Sequence, residues 1–135
     1  MSARRLPWII AGGAVLALAA LVLLTKRVNA TTHPTPRPGI TSAQVLPEAV
    51  LPHVAGAAEA YAAARAMPQV LDGIFCHCEC ARNFGHRSLL TCFESDHGSQ
   101  CDICMGEAML ATQLASQGNS LDQIRTAIDA QFGHR

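Results

Sequence analysis

Residues 75–104 read FCHCECARNFGHRSLLTCFESDHGSQCDIC and hold all six cysteines of the chain. How these thiols are satisfied decides how the rest can fold. Cys76, Cys78 and Cys80 alternate with His77 and Glu79. In extended or looped backbone alternate side chains point to one side, so the CxCxC spacing presents three sulfurs to one centre, which a helix would not do. Cys101 and Cys104 have the CxxC spacing. From the first turn of a helix that spacing aims both sulfurs at one atom, and the helix dipole there favours thiolate. Between the two arms lie twenty residues, including HRSLLTCF (86–93), where Leu89, Leu90 and Phe93 fall at helical offsets and predict a short helix carrying Cys92. That is enough chain to go out and return. At least one sulfur of the first arm is therefore expected within roughly 7 Å of one in the second, with Cys92 facing the same interior.

Outward from this window the pattern is helical. HVAGAAEAYAAARAM (53–67) is alanine-rich, with Pro52 suited to a first helical position and Pro68 closing the segment. Val54, Ala57, Ala58, Tyr61 and Ala64 share one face, and Tyr61 is expected to pack over the cysteines with its hydroxyl at the rim. Residues 69–73 read as one further turn. Cys101 to Gln117 forms the next helix, stopped by Gly118, with Met105 and Met109 one turn apart as a core stripe. Ser120 and Gln123 make a capping box, and Leu121, Ile124, Ile128 and Phe132 form one apolar stripe ending at Gly133. No segment alternates apolar and polar residues with β-branched enrichment. The expected fold class is all-α, a small helical domain over residues 47–135 with a core thin enough to need a staple of disulfides or metal.

Before this domain, Leu6 to Leu24 runs 19 residues without a charge, and as a helix it would span roughly 28 Å, close to a bilayer's hydrocarbon core. Arg4 and Arg5 precede it, the layout of an export signal that leaves residues 1–5 in the cytoplasm and the remainder outside. Two readings stay open: an uncleaved transmembrane anchor over 6–24, or a signal peptide cleaved after Ala30, where Val28 and Ala30 supply small residues. No cysteine follows the apolar run that could carry a lipid. Residues 25–46 hold three prolines, with a fourth at 47, and read as an extended stalk in which His33 is solvated.

The length of 135 residues allows one small domain. Lys and Arg balance Asp and Glu over the whole chain, but beyond Ala30 six bases face ten acids, which argues against nucleic acid as a partner. Asp96, Asp102 and Glu107 read as a solvated acidic rim beside the cysteines.

The string FCHCECARNFGHRSLLTCF followed by HGSQCDIC resembles the bacterial PCYCGC-motif proteins, exported and often lipid-anchored small proteins of undefined biochemical function. The likeness runs from the helix with Tyr61 through the C-terminal helix. Cys76, Cys78 and Cys80 match the motif's cysteines, and Cys92 and the HGxxCxxC segment match its later part. Phe75, His77 and Glu79 stand where the motif has Pro, Tyr and Gly. The resemblance implies export and a domain boundary rather than a chemistry.

The residues themselves leave several chemistries open. Clustered thiolates with thioether and imidazole suit a soft cation, Cu(I) before Zn(II). Cys76, Cys78, Cys80, Cys101 and Cys104 are the expected ligands, with Cys92, His97 and His77 as candidates to complete the shell, and Met105 and Met109 as weaker ones. His86 reads as a surface or capping group and His134 as tail. The rival is a module stapled by three disulfides without metal, although neighbours in CxC pair only under strain. A thiol oxidoreductase at Cys101 and Cys104 lacks its βαβ setting. Covalent haem lacks CxxCH, and the ferredoxin spacing is missing. The leading expectation is a non-enzymatic, membrane-tethered, extracytoplasmic metal binder for storage, delivery or resistance, with a protein partner for metal transfer.

Overall fold

Alanine at 57, 60, 63 and 64 gives helix α1 (Ala57–Ala66) a buried face of one-carbon side chains, so a second helix can approach its backbone. In the computed structural model, which describes Val15 and residues 31–133, α1 is followed by α2 (Pro68–Asp72), α3 (Cys80–Phe84), α4 (Asp102–Ser116) and α5 (Leu121–Phe132). Tight 3-10 turns occur at Ser42–Gln44, Glu48–Val50, Leu90–Phe93 and Asp96–Gln100, and there is no strand among the described residues. The all-α expectation therefore holds. Residues 1–5, the apolar run 6–24 apart from Val15, and the cleavage position at Ala30 lie outside the described residues. Among the described residues no helix is long and apolar enough to cross a membrane.

Helix α4 is the spine of the domain. It packs against α1 closely enough for Thr112 Oγ1 to donate to the Ala63 carbonyl at 3.2 Å, and α5 covers another of its faces. Ile124, Ile128 and Phe132 supply the buried stripe of α5, and the Ser120–Gln123 capping box forms as expected. Tyr61 is fully buried, its ring edge-on to Phe93 at 4.9 Å and its hydroxyl donating to the Ser95 carbonyl at 2.6 Å. The hydroxyl is thus inside rather than at the rim, and burial pushes its pKa up to about 12.

Several boundaries differ from expectation for local reasons. Residues 53–56 stay outside the helix, with a turn at 55–56, because Gly56 adopts the left-handed conformation (φ 80°) as the N-cap of α1. Pro68 opens α2 at its first position instead of only closing α1. The helix expected over 86–93 shrinks to the turn Leu90–Phe93. The Leu89 N–H is engaged by the Ile74 carbonyl at 2.8 Å, a non-local bond that holds the preceding residues out of a helix. Helix α3 forms instead one step earlier.

The stalk reading of residues 25–46 fails from Thr31 onward, where the chain is a strap bound across the domain. Ile40 and Val45 are buried in the core. Proline removes backbone donors but leaves carbonyls free to accept, and arginines from three elements use them. Arg125 donates to the Pro34 carbonyl at 2.8 Å, Arg65 to that of Leu46 at 3.0 Å, and Arg87 to that of Thr35. His33, expected in solvent, accepts from the Phe75 N–H at Nδ1 (3.1 Å) and lies 3.1 Å from Asp129 through Nε2. The strap's main anchor is Asp72 at the end of α2. Its carboxylate is fully buried and accepts from the Arg37 N–H (2.6 Å), the Arg37 guanidinium (2.8 Å) and Ser88 Oγ (3.0 Å). Burial alone would raise the Asp72 pKa, but the bonds from Arg37 and Ser88 outweigh it and hold the group below its ordinary value.

Candidate metal centre

Three segments converge on one point. After α2 the loop carries Cys76 and Cys78 and enters α3 at Cys80. The turn Leu90–Phe93 supplies Cys92, and the first turn of α4 supplies Cys104. The Sγ atoms of Cys76, Cys78, Cys80, Cys92 and Cys104 all lie within 4.8 Å of one another. Cys76 is 3.5 Å from Cys104, well inside the separation expected from the sequence, and Cys78 is 3.3 Å from Cys76 and 3.4 Å from Cys104. Cys92 and Cys104 have no exposure.

Local backbone makes this convergence possible. Glu79 is, among the described residues, the one non-glycine with a positive φ (62°), and this left-handed step turns the chain from the loop into α3. Gly98 sits where an added Cβ would meet the Cys92 carbonyl at 2.8 Å, so glycine lets the Asp96–Gln100 turn close onto Cys92. The His77 N–H donates to Glu107 Oε1 of α4 at 3.0 Å, tying the loop to the helix that carries Cys104.

Cys78 and Cys80 form a disulfide, while Cys76, Cys92, Cys101 and Cys104 are free thiols. The three-bridge staple is therefore not what holds the domain. The one bridge joins neighbours that the spacing argued against pairing, and it cross-links no distant elements. The free thiols at the centre are held in the neutral form. For Cys76, the contact with Cys104 and then burial push its pKa far up. At Cys92 the contact with Cys104 favours thiolate, but that with Cys76, together with burial, outweighs it. At Cys104 the contact with Cys76 favours thiolate, and Cys92 with burial prevails.

A second group overlaps the first: Cys80, His86, Cys92 and His97 offer ligand atoms within 4.8 Å of one another. His97 Nε2 is 3.1 Å from Cys80 Sγ, and His86 Nδ1 is 3.2 Å from Cys92 Sγ. Burial and then the neighbouring His97 lower the His86 pKa, which favours a neutral imidazole with a free lone pair.

Of the residues singled out from sequence, Cys76, Cys78, Cys80, Cys92, Cys104 and His97 come together. Cys101 does not: it is the N-cap of α4 with extended backbone (φ −135°, ψ 109°), so it does not share the inward face of Cys104. His77 is also outside, because the alternation that aims Cys76 and Cys78 inward carries it the other way. There its Nδ1 meets Glu107 Oε1 at 2.7 Å, and its Nε2 lies 3.1 Å from Asp129. The bond to Glu107 first, against the effect of burial, raises the His77 pKa. Glu107, expected on an acidic rim, is completely buried, and its Oε2 has no hydrogen-bond partner among the described residues. Met105 packs in the core and Met109 is exposed, so neither joins the centre. His86, read from sequence as a cap, was not recognisable because no spacing rule links it to Cys92.

A family model described as a protein of unknown function with PCYCGC motif matches residues 33–135, a span that takes in the strap. No curated protein and no solved structure matches the chain. The motif's glycine falls on Glu79, the position with left-handed backbone, which gives that glycine a physical reason. Glu79→Gly is accordingly expected to stabilise the domain by about 0.5–1 kcal/mol in urea unfolding, since a side chain in this conformation costs about 1–2 kcal/mol and the added chain freedom offsets part of the relief. The exposed Glu79–Arg82 pair that is lost contributes little.

Proposed function

The chain belongs to the PCYCGC-motif family, and on that footing we propose that it is a membrane-tethered, extracytoplasmic binder of a soft metal ion, Cu(I) in preference to Zn(II), acting in storage, delivery or resistance. The observation that carries this is the convergence of five sulfurs from three separate segments within 4.8 Å. Three of the five, Cys76, Cys92 and Cys104, are free thiols. Separations of 3.3–3.5 Å among Cys76, Cys78 and Cys104 approach the edge of about 3.8 Å expected for thiolates around one ion at about 2.3 Å. Softness of the donors favours Cu(I). Tethering and export rest on the uncharged run 6–24 and the arginines before it. Transfer of the ion would require a protein partner able to reach the cysteines.

Both sulfurs of the Cys78–Cys80 pair become available on reduction, for which a dithiol supplies two electrons and two protons. The test uses the full chain, reduced without oxygen and titrated with Cu(I) against a chromophoric chelator. Stoichiometric uptake is expected, with a rise in Tm. Binding confined to the folded state adds about 2.7 kcal/mol at a hundredfold excess over Kd. A reduced protein that takes up neither Cu(I) nor Zn(II) and melts unchanged in their presence would overturn the proposal in favour of an interaction module without metal.

A further inference from the structure

The two overlapping ligand groups carry more than one ion's worth of donors. Together they hold five sulfurs and two imidazoles, whereas a thiolate or imidazole site commonly saturates at four ligands or fewer. Resting on the soft-metal reading above, we infer that the centre is binuclear. One ion sits on Cys76, Cys78 and Cys104, a second on Cys80, His86, Cys92 and His97, and the sulfurs of Cys80 and Cys92 are close enough to both to act as bridges.

Once the Cys78–Cys80 disulfide, which joins the two positions, is reduced, the donors divide in this way. Cys76, Cys78 and Cys104 form a sulfur triangle with edges of 3.3, 3.4 and 3.5 Å. The imidazoles contact only the other two sulfurs, His97 at Cys80 and His86 at Cys92. Their rings cross at 74° with centroids 4.7 Å apart, so they do not stack. This arrangement brings His86 Nδ1 and His97 Nε2 to the same side as the sulfurs. Cys80 and Cys92 belong to both groups, and a thiolate has lone pairs enough to serve two cations.

The two positions differ in access. Cys76, Cys80, Cys92 and Cys104 are buried, whereas Cys78, His86 and His97 are only partly so, which gives the thiol-only position one part-exposed ligand and the mixed position two. Phe84, 63% exposed, lies against both rings, with centroids 5.9 Å from His86 and 4.7 Å from His97. The mixed position is therefore the outer one. Its ion is the second to bind and the first to leave, while the thiol-only position retains its ion.

Native mass spectrometry of the reduced full chain, titrated with Cu(I), tests this together with X-ray absorption at one and two equivalents. Two ions are expected at saturation. Sulfur alone should coordinate at one equivalent, and nitrogen together with a copper–copper vector should appear at the second. The double variant His86→Ala/His97→Ala should hold one ion. Saturation of the wild type at any count other than two, or at two with no ion lost in the folded double variant, would overturn the binuclear assignment. A count of one does so while leaving the metal-binding reading intact, and a count of zero removes both. Should the variant fail to fold, by circular dichroism, the wild-type spectrum decides: a shell of sulfur only at two equivalents would sink the inference.

Discussion

Cys104→Ser is expected to lower Cu(I) affinity by more than the roughly 10–100-fold that follows loss of a hydrogen-bonding partner outside a coordination sphere, because it removes a sulfur from the sphere itself. Cys104 touches both Cys76 and Cys78 and has no exposure, so its loss opens the sulfur triangle at a buried position. Cys101→Ser, three residues earlier in the same CxxC, should leave the affinity unchanged, since Cys101 is outside the cluster. Serine is also a favoured N-cap, so that variant should be slightly the more stable of the two. Competition titration of both reduced proteins reads the contrast directly. Equal losses in the two variants would mean that the CxxC acts as a unit, and the exclusion of Cys101 from the centre would fail.

Asp72→Ala should cost about 3 kcal/mol in urea unfolding followed by far-UV circular dichroism. The variant strands the Arg37 N–H and Ser88 Oγ, at about 1–3 kcal/mol for each buried group left unpaired. The guanidinium of Arg37 adds less than a wholly buried partner would, because it is 38% exposed and regains water. Linkage supplies an independent check. Asp72 has a folded pKa below its ordinary 3.8, so its contribution is fully present above that value and is lost as the pH falls from there through the folded value. Wild-type stability should therefore fall more steeply than that of Asp72→Asn as the pH is lowered below about 4. Parallel curves would show that the strap is not held by this charge. Faster amide exchange over residues 31–46 in the variant would locate the loss in the strap.

The helices and the meeting of the two arms were legible in the sequence because both depend on near neighbours. The capping box at Ser120, the stripe Ile124, Ile128 and Phe132, and the left-handed Gly118 are set within a few residues of chain. The CxCxC alternation likewise placed Cys76 and Cys78 on one side, whereas His77, a candidate ligand from the sequence, proved to face Glu107 instead. What the sequence left open was settled by contacts between distant positions. The strap became part of the domain because Asp72, Arg65, Arg87 and Arg125 hold a proline-rich segment between 19 and 91 residues away, and no local pattern encodes those pairings. The helix expected over 86–93 gave way to the bond between Leu89 and Ile74. Membership of the centre was decided in the same manner. Cys101 and Cys104 share a motif, yet the extended N-cap backbone removes one, while Gly98 and the tight turn at Leu90–Phe93 bring in Cys92 and His86. Sequence by itself determined which donors this protein has and the local geometry that offers them. Only the tertiary structure decided which of them meet, because that depends on where α4 and the turns lie against one another in a packed core.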